Sequence, residues 1–434
     1  MNEWNFDNSN VGNEMYGLIK KLFPICRSIT GNGVRQTLEI LNDYLPELKV
    51  YEVPTNTKVF DWTIPKEWNI NDAYIENEKG GKIIDFKNSN LHVLNYSIPV
   101  DKIISLDELK EHIYTDPKNP DSIPYRTSYY KEDWGFCMSH SQFKNLNDGK
   151  YRIKIDSTLK DGVLTYGELF IRGQTEEEIL FSCYICHPSM CNDNLSGVVL
   201  LTSLANSIKS LDLRYSYRFL FIPETIGAIT WLAKNKDNVS KIKFGLVATC
   251  LGDAGNSTYK KTKEGNNILD KIVEKILVDS HSPFKIVDFF PTGSDERQFS
   301  SPGFNLPVGS LMRSVYTTFP EYHTSNDDLD FVKSQYLSDS FEKYLKIIFV
   351  LEKNQTFINQ YPYCEPQLGN KGLYNTKGGF QKNQIQKNAI NWILNFSDGK
   401  NSLLDIAIRS GINFEEINFA KEKLVESKLL KLSE

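Results

Sequence analysis

Two histidines and two carboxylates lie where predicted secondary-structure elements end. His187 follows an apolar run that predicts a strand, and Asp193 comes six residues later, where a helix begins. Glu224 follows the next predicted strand, and His323 lies in a polar loop much later in the chain. An imidazole and a carboxylate at neighbouring element ends can converge on one cation, and both ligand types suit Zn²⁺. Because the chain has only 6 histidines, two in such surroundings indicate a metal site.

Alternating strands and helices must position these residues. The predicted strands are Leu164–Ile171, Ile179–Ile185, Tyr217–Ile222 and Phe244–Cys250, and the predicted helices are Leu195–Ile208, Ile226–Lys234 and Ile268–Val278. Near-continuous apolar strands between helices predict an α/β fold with a largely buried sheet. Functional residues gather at the carboxyl edge of such a sheet, where His187 and Glu224 are expected.

Two further regions differ in character from this α/β pattern. Between residues 49 and 149, short β-like runs alternate with polar clusters and include Trp62, Trp68 and Trp134, which predicts an inserted, aromatic-rich β domain. Residues 380–434 predict three short helices and a strand, typical of a winged helix, after a linker over 359–379. The catalytic domain is then discontinuous and comprises residues 1–48 and 150–358.

Composition narrows the classes of protein. The net charge of −5 argues against nucleic acid or an anionic membrane surface as the main partner. No run reaches the roughly 18 apolar residues that a membrane span needs, and the N-terminal residues lack the pattern of a signal peptide. Seven scattered cysteines are consistent with free thiols. We expect a cytoplasmic protein.

The spacing Cys183-Tyr-Ile-Cys186-His187 also matches the pattern of c-type haem attachment. That chemistry needs export and an exposed turn, whereas these cysteines lie in an apolar predicted strand. Haem attachment is therefore not expected, and Cys186 and Cys191, which flank the candidate zinc site, are interpreted as buried small hydrophobic residues instead of ligands.

Six short motifs are spread between about residue 14 and residue 330. They are Arg27-Ser-Ile-Thr-Gly, Tyr184-Ile-Cys-His-Pro-Ser, Asn192-Asp-Asn-Leu-Ser-Gly, Pro223-Glu-Thr-Ile-Gly, Gly293-Ser-Asp-Glu-Arg and Tyr322-His-Thr-Ser. Together they resemble the zinc aminopeptidase and glutaminyl cyclase superfamily. They resemble more closely the bacterial polysaccharide biosynthesis proteins with an aminopeptidase-like domain, which implies the same inserted domain and winged helix.

The resemblance implies a role for each residue of the candidate site. His187, Asp193 and His323 would bind zinc, and Glu224 would be the general base. Two-zinc relatives have a second glutamate after the base and an aspartate on the following strand. Here these places hold Thr225 and Thr249, and Asp253 lies beyond the strand end, as a helix cap or a residue that orients a ligand. We therefore expect one zinc ion, with Asp193 as a terminal ligand instead of a bridge.

The resemblance also implies residues that bind substrate. The loop with Asp295 and Arg297 borders the pocket in relatives, and Tyr322 precedes a predicted metal ligand. An arginine such as Arg297, Arg313 or Arg27 can hold an anion through two hydrogen bonds. The aromatic run Tyr129-Tyr130, with Trp134, is a candidate pocket wall.

Three hypotheses about function follow. The leading one is a zinc-dependent hydrolase of the aminopeptidase type, which cleaves an amide bond next to a free amine on a small peptide or an amino-sugar. The second is a single-zinc aminoacyl transferase or cyclase. The third is a non-catalytic binding or regulatory protein that acts through its winged helix. The winged helix would contact a protein partner or a second copy of the chain, because its third helix has a mixed-charge face in place of the basic one that DNA requires.

Overall fold

The computed structural model describes residues 8–371 and 382–433, together with Trp4 and Leu373. Two compact units form within these residues. The first unit runs to Asn267 and resumes over Pro283–Glu342, and the second contains Ile268–Ser282 and the chain from Lys343 onward. Residues 372 and 374–379 of the predicted linker lie outside the described residues.

An eight-stranded sheet forms the centre of the first unit. Its strands, in spatial order, are Lys49–Pro54, Val163–Ile171, Ser216–Ile222, Glu178–Tyr184, Ile242–Ala248, Val308–Met312, Ser257–Lys260 and Phe284–Val287. The four strands in the middle of this order run parallel to one another, and the strands on either side of these four pair with them antiparallel. Every residue of Glu178–Tyr184 is buried, as expected for a strand covered on both faces. The predicted α/β fold is confirmed.

Helices connect and flank these strands. They are Val11–Leu22, Asn32–Asn42, Ser196–Ile208, Ile226–Lys234 and Glu296–Phe299, with one 3₁₀ turn at Val239–Lys241. The helix Ser334–Lys353 belongs to the first unit up to Glu342 and to the second from Lys343. Gly197 lets the helix Ser196–Ile208 begin directly against the sheet, because a Cβ atom there would lie 2.3 Å from the carbonyl oxygen of Ala248. The start of this helix is the end of the loop that contains Asp193.

The inserted region forms a four-stranded antiparallel sheet. Its strands, in order, are Lys82–Asp85, Glu67–Asn77, Lys150–Lys160 and Val100–Ser105. The shorter elements of this region are the strands Lys58–Val59, Trp62–Thr63, Ile113–Tyr114 and Phe136–Cys137, the helices Leu106–Glu111 and His140–Lys144, and a 3₁₀ turn at Asn90–His92. Hereafter the inserted unit means residues 55–160.

Strand pairing places the edges of the inserted unit differently from the sequence prediction. Lys49–Pro54 was expected inside it but pairs with Val163–Ile171 in the main sheet, whereas Lys150–Lys160 was expected outside it but pairs with Glu67–Asn77. The run Leu91–Tyr96, one of the short β-like runs from which the inserted domain is predicted, forms a 3₁₀ turn and isolated bridges instead of a strand. An apolar run predicts a strand without naming its partner, because pairing depends on tertiary packing.

The second unit has the elements of a winged helix. These are the helices Lys382–Phe396, Leu403–Ser410 and Phe414–Glu426 and the strands Asp398–Ser402, Thr356–Asn359 and Leu430–Leu432. The unit also contains a 3₁₀ turn at Leu368–Lys371 and the helix Ile268–Asp279, which was predicted among the elements of the α/β domain. Local sequence fixes the helix Leu403–Ser410, since Ser402 and Asp405 form a capping box and Gly411 ends it with φ of 69°. The three predicted helices and the predicted last strand are present. In the described residues no helix combines the length and apolar character of a membrane span.

Candidate metal centre and active site

Parallel pairing in the main sheet brings the key loops together. Tyr184, the last residue of one strand, pairs with Ile222, the last residue of its neighbour. His187 follows the first strand and Glu224 follows the second, so both lie at the same carboxyl edge. The imidazole Nε2 of His187 lies 3.8 Å from Oε2 of Glu224.

His187, Asp193 and His323 form the one group of metal-binding character among the described residues. Oδ2 of Asp193 lies 2.9 Å from Nε2 of His323 and 4.0 Å from Nε2 of His187. Despite the short separation, the geometry makes no hydrogen bond, and both Asp193 Oδ2 and His323 Nε2 are buried without a partner. Buried polar atoms without partners are costly. Their convergence therefore fits a cation that binds both.

The second oxygen of Asp193 is already used. Oδ1 accepts a hydrogen bond from the hydroxyl of Tyr184, and this hydroxyl also lies 2.6 Å from Oγ1 of Thr249. Thr249 is the residue at which relatives would have a further ligand. Oδ2 is thus the carboxylate oxygen of Asp193 that is left without a hydrogen-bond partner, and Asp193 as a terminal ligand of one zinc ion stays a prediction.

Buried carboxylates fix the backbone of the loop that contains His187 and Asp193, residues 185–195, the metal loop. Asp327 accepts hydrogen bonds from the backbone N–H groups of Asn192 and Asp193. Asp253 accepts from the Nδ2 of Asn192 and from the hydroxyl of Ser314. Asp253 therefore holds the loop through its hydrogen bond with Asn192. It does not belong to the cluster of metal-binding groups among the described residues.

Glu224 is held by a strained turn. Thr225, which follows it, has φ of 61°, an uncommon conformation for a β-branched residue. Oδ1 of Asp295 accepts a hydrogen bond from the backbone N–H of Thr225 at 2.8 Å, and the guanidinium of Arg297 donates to its hydroxyl at 3.0 Å. Asp295 and Arg297 thus contact the turn that carries Glu224, and their predicted contact with substrate stays a prediction.

Burial and neighbouring charges set the protonation of this site. Burial lowers the pKa of His187 to about 4, so its imidazole is neutral at neutral pH, the form that binds metal ions. Burial opposes ionisation of Asp193, but the two imidazoles outweigh it and lower the pKa of Asp193. Burial, followed by the charges of Asp295 and Asp193, raises the pKa of Glu224 well above its ordinary value. A cation beside Glu224 would act in the opposite direction.

A cavity of about 430 Å³ opens onto these residues. Its lining includes His187, Glu224, Thr225 and His323 from the main sheet's loops, and Tyr125, Arg126, Thr127, Tyr129 and Tyr130 from the inserted unit. The predicted wall of Tyr129 and Tyr130 is present. Trp134 does not line this cavity and is stacked on His112, with 3.5 Å between the ring centroids. Tyr322 stacks on His323, with 4.0 Å between the ring centroids.

The inserted unit also braces His323. The backbone N–H of Tyr125 donates to the carbonyl oxygen of His323 at 2.7 Å, and Pro124 forms a β-bridge with Thr324. Sequence reasoning did not find the roles of Tyr125, Tyr184 and Asp327. Only Tyr184 carried a usable signal, since it begins the motif that contains His187.

Arg27 does not line the cavity. It is 1% exposed, and its Nε donates to the carbonyl oxygen of His187 at 2.8 Å while one terminal nitrogen donates to that of Leu22 at 2.7 Å. Arg27 therefore connects the first helix to the metal loop through backbone carbonyl groups.

The sheet, its edge and the histidine–carboxylate cluster define an aminopeptidase-like fold with a candidate hydrolase site. The chain belongs to the family described as domain of unknown function DUF4910, whose model matches residues 16–354. A winged helix-turn-helix model matches residues 355–432, starting before the predicted boundary at 380.

Relatives agree with this assignment. A Clostridium acetobutylicum protein, described as a candidate polysaccharide biosynthesis protein with an aminopeptidase-like domain, is 56% identical over 100% of this chain and 99% of its own. The crystal structure of a candidate peptidase from the same organism is 56% identical, with a TM-score of 0.93 over 98% of this chain and 97% of its own. A zinc aminopeptidase from Bacillus subtilis shares the fold, with 12% identity and a TM-score of 0.59 over 80% and 95% of the two chains.

Proposed function

We propose that this protein is a zinc-dependent hydrolase of the aminopeptidase type, which cleaves an amide bond next to a free amine. The observation that carries the proposal is the convergence of Asp193 Oδ2 and His323 Nε2, both buried without a hydrogen-bond partner, beside His187. His187, Asp193 and His323 would hold the zinc ion. Three protein ligands with one open position are typical of catalytic zinc sites.

The residues of the candidate site would have separate roles in the reaction. A bound zinc ion would supply Lewis acidity, which lowers the pKa of water and polarises a carbonyl group. Glu224 would take a proton from the attacking water and return it to the leaving amine. Asp295 and Arg297 hydrogen-bond to the turn after Glu224. This turn would keep the carboxylate of Glu224 within 3.8 Å of His187.

The size and lining of the cavity support a small substrate. A volume of about 430 Å³ lies in the lower part of the range for small-molecule sites. Tyr130 offers an aromatic face, and Arg126 and Thr127 offer hydrogen-bond donors at the same wall. A short peptide or an amino-sugar fits these properties, and the name of the C. acetobutylicum relative motivates a link to polysaccharide biosynthesis.

Substitution of Glu224 tests the division of roles. Glu224→Gln keeps the size and polarity of the side chain but cannot accept the proton. We expect it to bind zinc like the wild type and to lose turnover by about 10²-fold or more. Zinc content is measured by plasma mass spectrometry, and turnover with a panel of aminoacyl 4-nitroanilides and N-aminoacyl amino-sugars. Near wild-type turnover in Glu224→Gln would contradict the mechanism.

A second candidate is aminoacyl transfer or cyclisation with one zinc ion. It is favoured by the commitment of the other oxygen of Asp193 to Tyr184, which leaves one carboxylate oxygen for metal binding. Mass spectrometry of the products separates the two candidates. Hydrolysis adds the mass of water across the cleaved bond, whereas transfer or cyclisation does not.

A further inference from the structure

The inserted unit places a tyrosine against both metal-site histidines. The ring centroid of Tyr125 lies 5.3 Å from that of His187 and 5.1 Å from that of His323. Tyr125 is 4% exposed and lines the same cavity as Glu224. Its phenol is therefore at the wall of the cavity beside the reacting groups.

Two other tyrosines lie near the histidines. The hydroxyl of Tyr184 is committed to Asp193 and Thr249, whereas Tyr322 contacts His323 through its stacked ring. The hydroxyl of Tyr125 instead lies 2.8 Å from that of Tyr129, which also lines the cavity.

The two phenols can present a free donor. Each hydroxyl has one proton and two lone pairs, so the bond between them uses one proton of two. When Tyr129 donates to Tyr125, the proton of Tyr125 remains for a ligand in the cavity. A phenol has an ordinary pKa of about 10 and keeps its proton at neutral pH, so both hydroxyls are available as donors.

The backbone around this pair is fixed in advance. Tyr125 is hydrogen-bonded to the carbonyl of His323 at 2.7 Å, the N–H of Asn95 donates to the carbonyl of Arg126 at 2.9 Å, and the N–H of Ser128 donates to the carbonyl of Asn95 at 3.0 Å. Preorganised donors of this kind stabilise charge that develops in a transition state, because little reorganisation is needed.

We propose that Tyr125 donates a hydrogen bond to the oxyanion of the substrate, with Tyr129 as a positioning residue that donates to Tyr125. The inference rests on the proposed hydrolysis. As the oxygen of water bonds to the amide carbon, its proton passes to Glu224 and the carbonyl π electrons move to the carbonyl oxygen, where Tyr125 stabilises the negative charge. Collapse restores the carbonyl, breaks the C–N bond and transfers the proton from Glu224 to the leaving amine.

Inorganic phosphate, a tetrahedral anion, provides an equilibrium test. We expect zinc-loaded wild-type protein to bind phosphate in calorimetry, and Tyr125→Phe to bind it about 10- to 100-fold more weakly through loss of a hydrogen bond to a charged group. Tyr129→Phe should weaken binding by roughly threefold. With any amide substrate that the panel identifies, Tyr125→Phe should lower kcat by about 10²-fold.

Tyr151→Phe is the matched control. Tyr151 belongs to the inserted unit and is 3% exposed, but its hydroxyl donates to the backbone carbonyl of Asn147. It should leave phosphate affinity unchanged. Zinc-loaded wild type that does not bind phosphate, or equal affinity in Tyr125→Phe, would overturn the proposal. Absence of bound zinc would instead contradict the proposed function itself.

Discussion

At the scale of single residues, Tyr184 determines how Asp193 can bind a metal ion. Its hydroxyl occupies one carboxylate oxygen and leaves Oδ2 facing the two histidines. Hydrogen bonds to metal ligands fix their orientation and contribute strongly to metal affinity. The same hydroxyl lies 2.6 Å from Oγ1 of Thr249, the residue at which the resemblance to two-zinc relatives implies a missing ligand.

Tyr184→Phe should weaken zinc binding. The substitution removes the hydrogen bond to Asp193 Oδ1 and leaves that buried oxygen without its donor. We expect zinc affinity to fall by about 10- to 100-fold, measured by competition with a chromophoric chelator. Tyr166→Phe, another buried tyrosine of the main sheet, is the control and should bind zinc like the wild type. Equal affinity in Tyr184→Phe would show that the hydroxyl does not support the site.

The sequence predicted which residues converge at the candidate metal site better than it predicted the contacts around them. His187 and Glu224 could be placed together because parallel strands end at one edge. The position of Tyr125 against His187 and His323 could not be predicted, because it depends on a β-bridge between the inserted unit and the loop of His323. The contacts of Asp295 with Thr225 likewise arise between segments 70 residues apart.

At the scale of elements, a buried ion pair anchors the loop before Asp295. Lys260, on a strand of the main sheet, and Glu296 both have fully buried side chains and form a salt bridge. The Nζ of Lys260 also donates to the carbonyl of Thr292 at 3.0 Å and to the hydroxyl of Tyr316 at 2.9 Å. The pair therefore connects this loop to the strand Ser257–Lys260 and to the segment that follows the strand Val308–Met312.

Lys260→Met should destabilise the first unit. It leaves the carboxylate of Glu296 buried without its cation, which costs about 3–5 kcal/mol. The double variant Lys260→Met with Glu296→Leu should recover most of this loss, because two apolar residues carry no unpaired charge. Urea unfolding followed by circular dichroism measures both. A single variant as stable as the wild type would contradict the assignment of this pair as an anchor.

The positions of helices and strands along the chain were predicted more reliably than the pairing of the strands. The apolar periodicity of Ile226–Lys234 gave both ends of that helix correctly. The β-like run Lys49–Val53 was assigned to the inserted unit, whereas the strand Lys49–Pro54 joins the main sheet, because alternation along a strand does not encode which sheet it joins. The short strands Ser257–Lys260 and Phe284–Val287 carry four residues each, too few for a periodic signal.

At the scale of the whole molecule, charge argues against nucleic acid as a partner. The chain has a net charge of −5. In the helix Phe414–Glu426, Lys423 pairs with Glu426 at 3.0 Å and Lys421 lies 3.9 Å from Glu422. Lysines that already face carboxylates form a poor surface for phosphates.

The protein should therefore not bind duplex DNA. We expect no change in the anisotropy of a labelled 20-base-pair duplex at micromolar protein and low salt, where phosphate contacts are strongest. Binding that weakens steeply with added salt would contradict this expectation and favour a regulatory role for the winged helix.

The metal content of the purified protein tests the central claim most directly. After incubation with zinc and exhaustive dialysis, plasma mass spectrometry should find about one zinc ion per wild-type chain. His187→Ala and His323→Ala should each lose it, because each removes a ligand of the cluster. A wild-type protein that retains no zinc, or two ions per chain, would contradict the account of a single site formed by His187, Asp193 and His323.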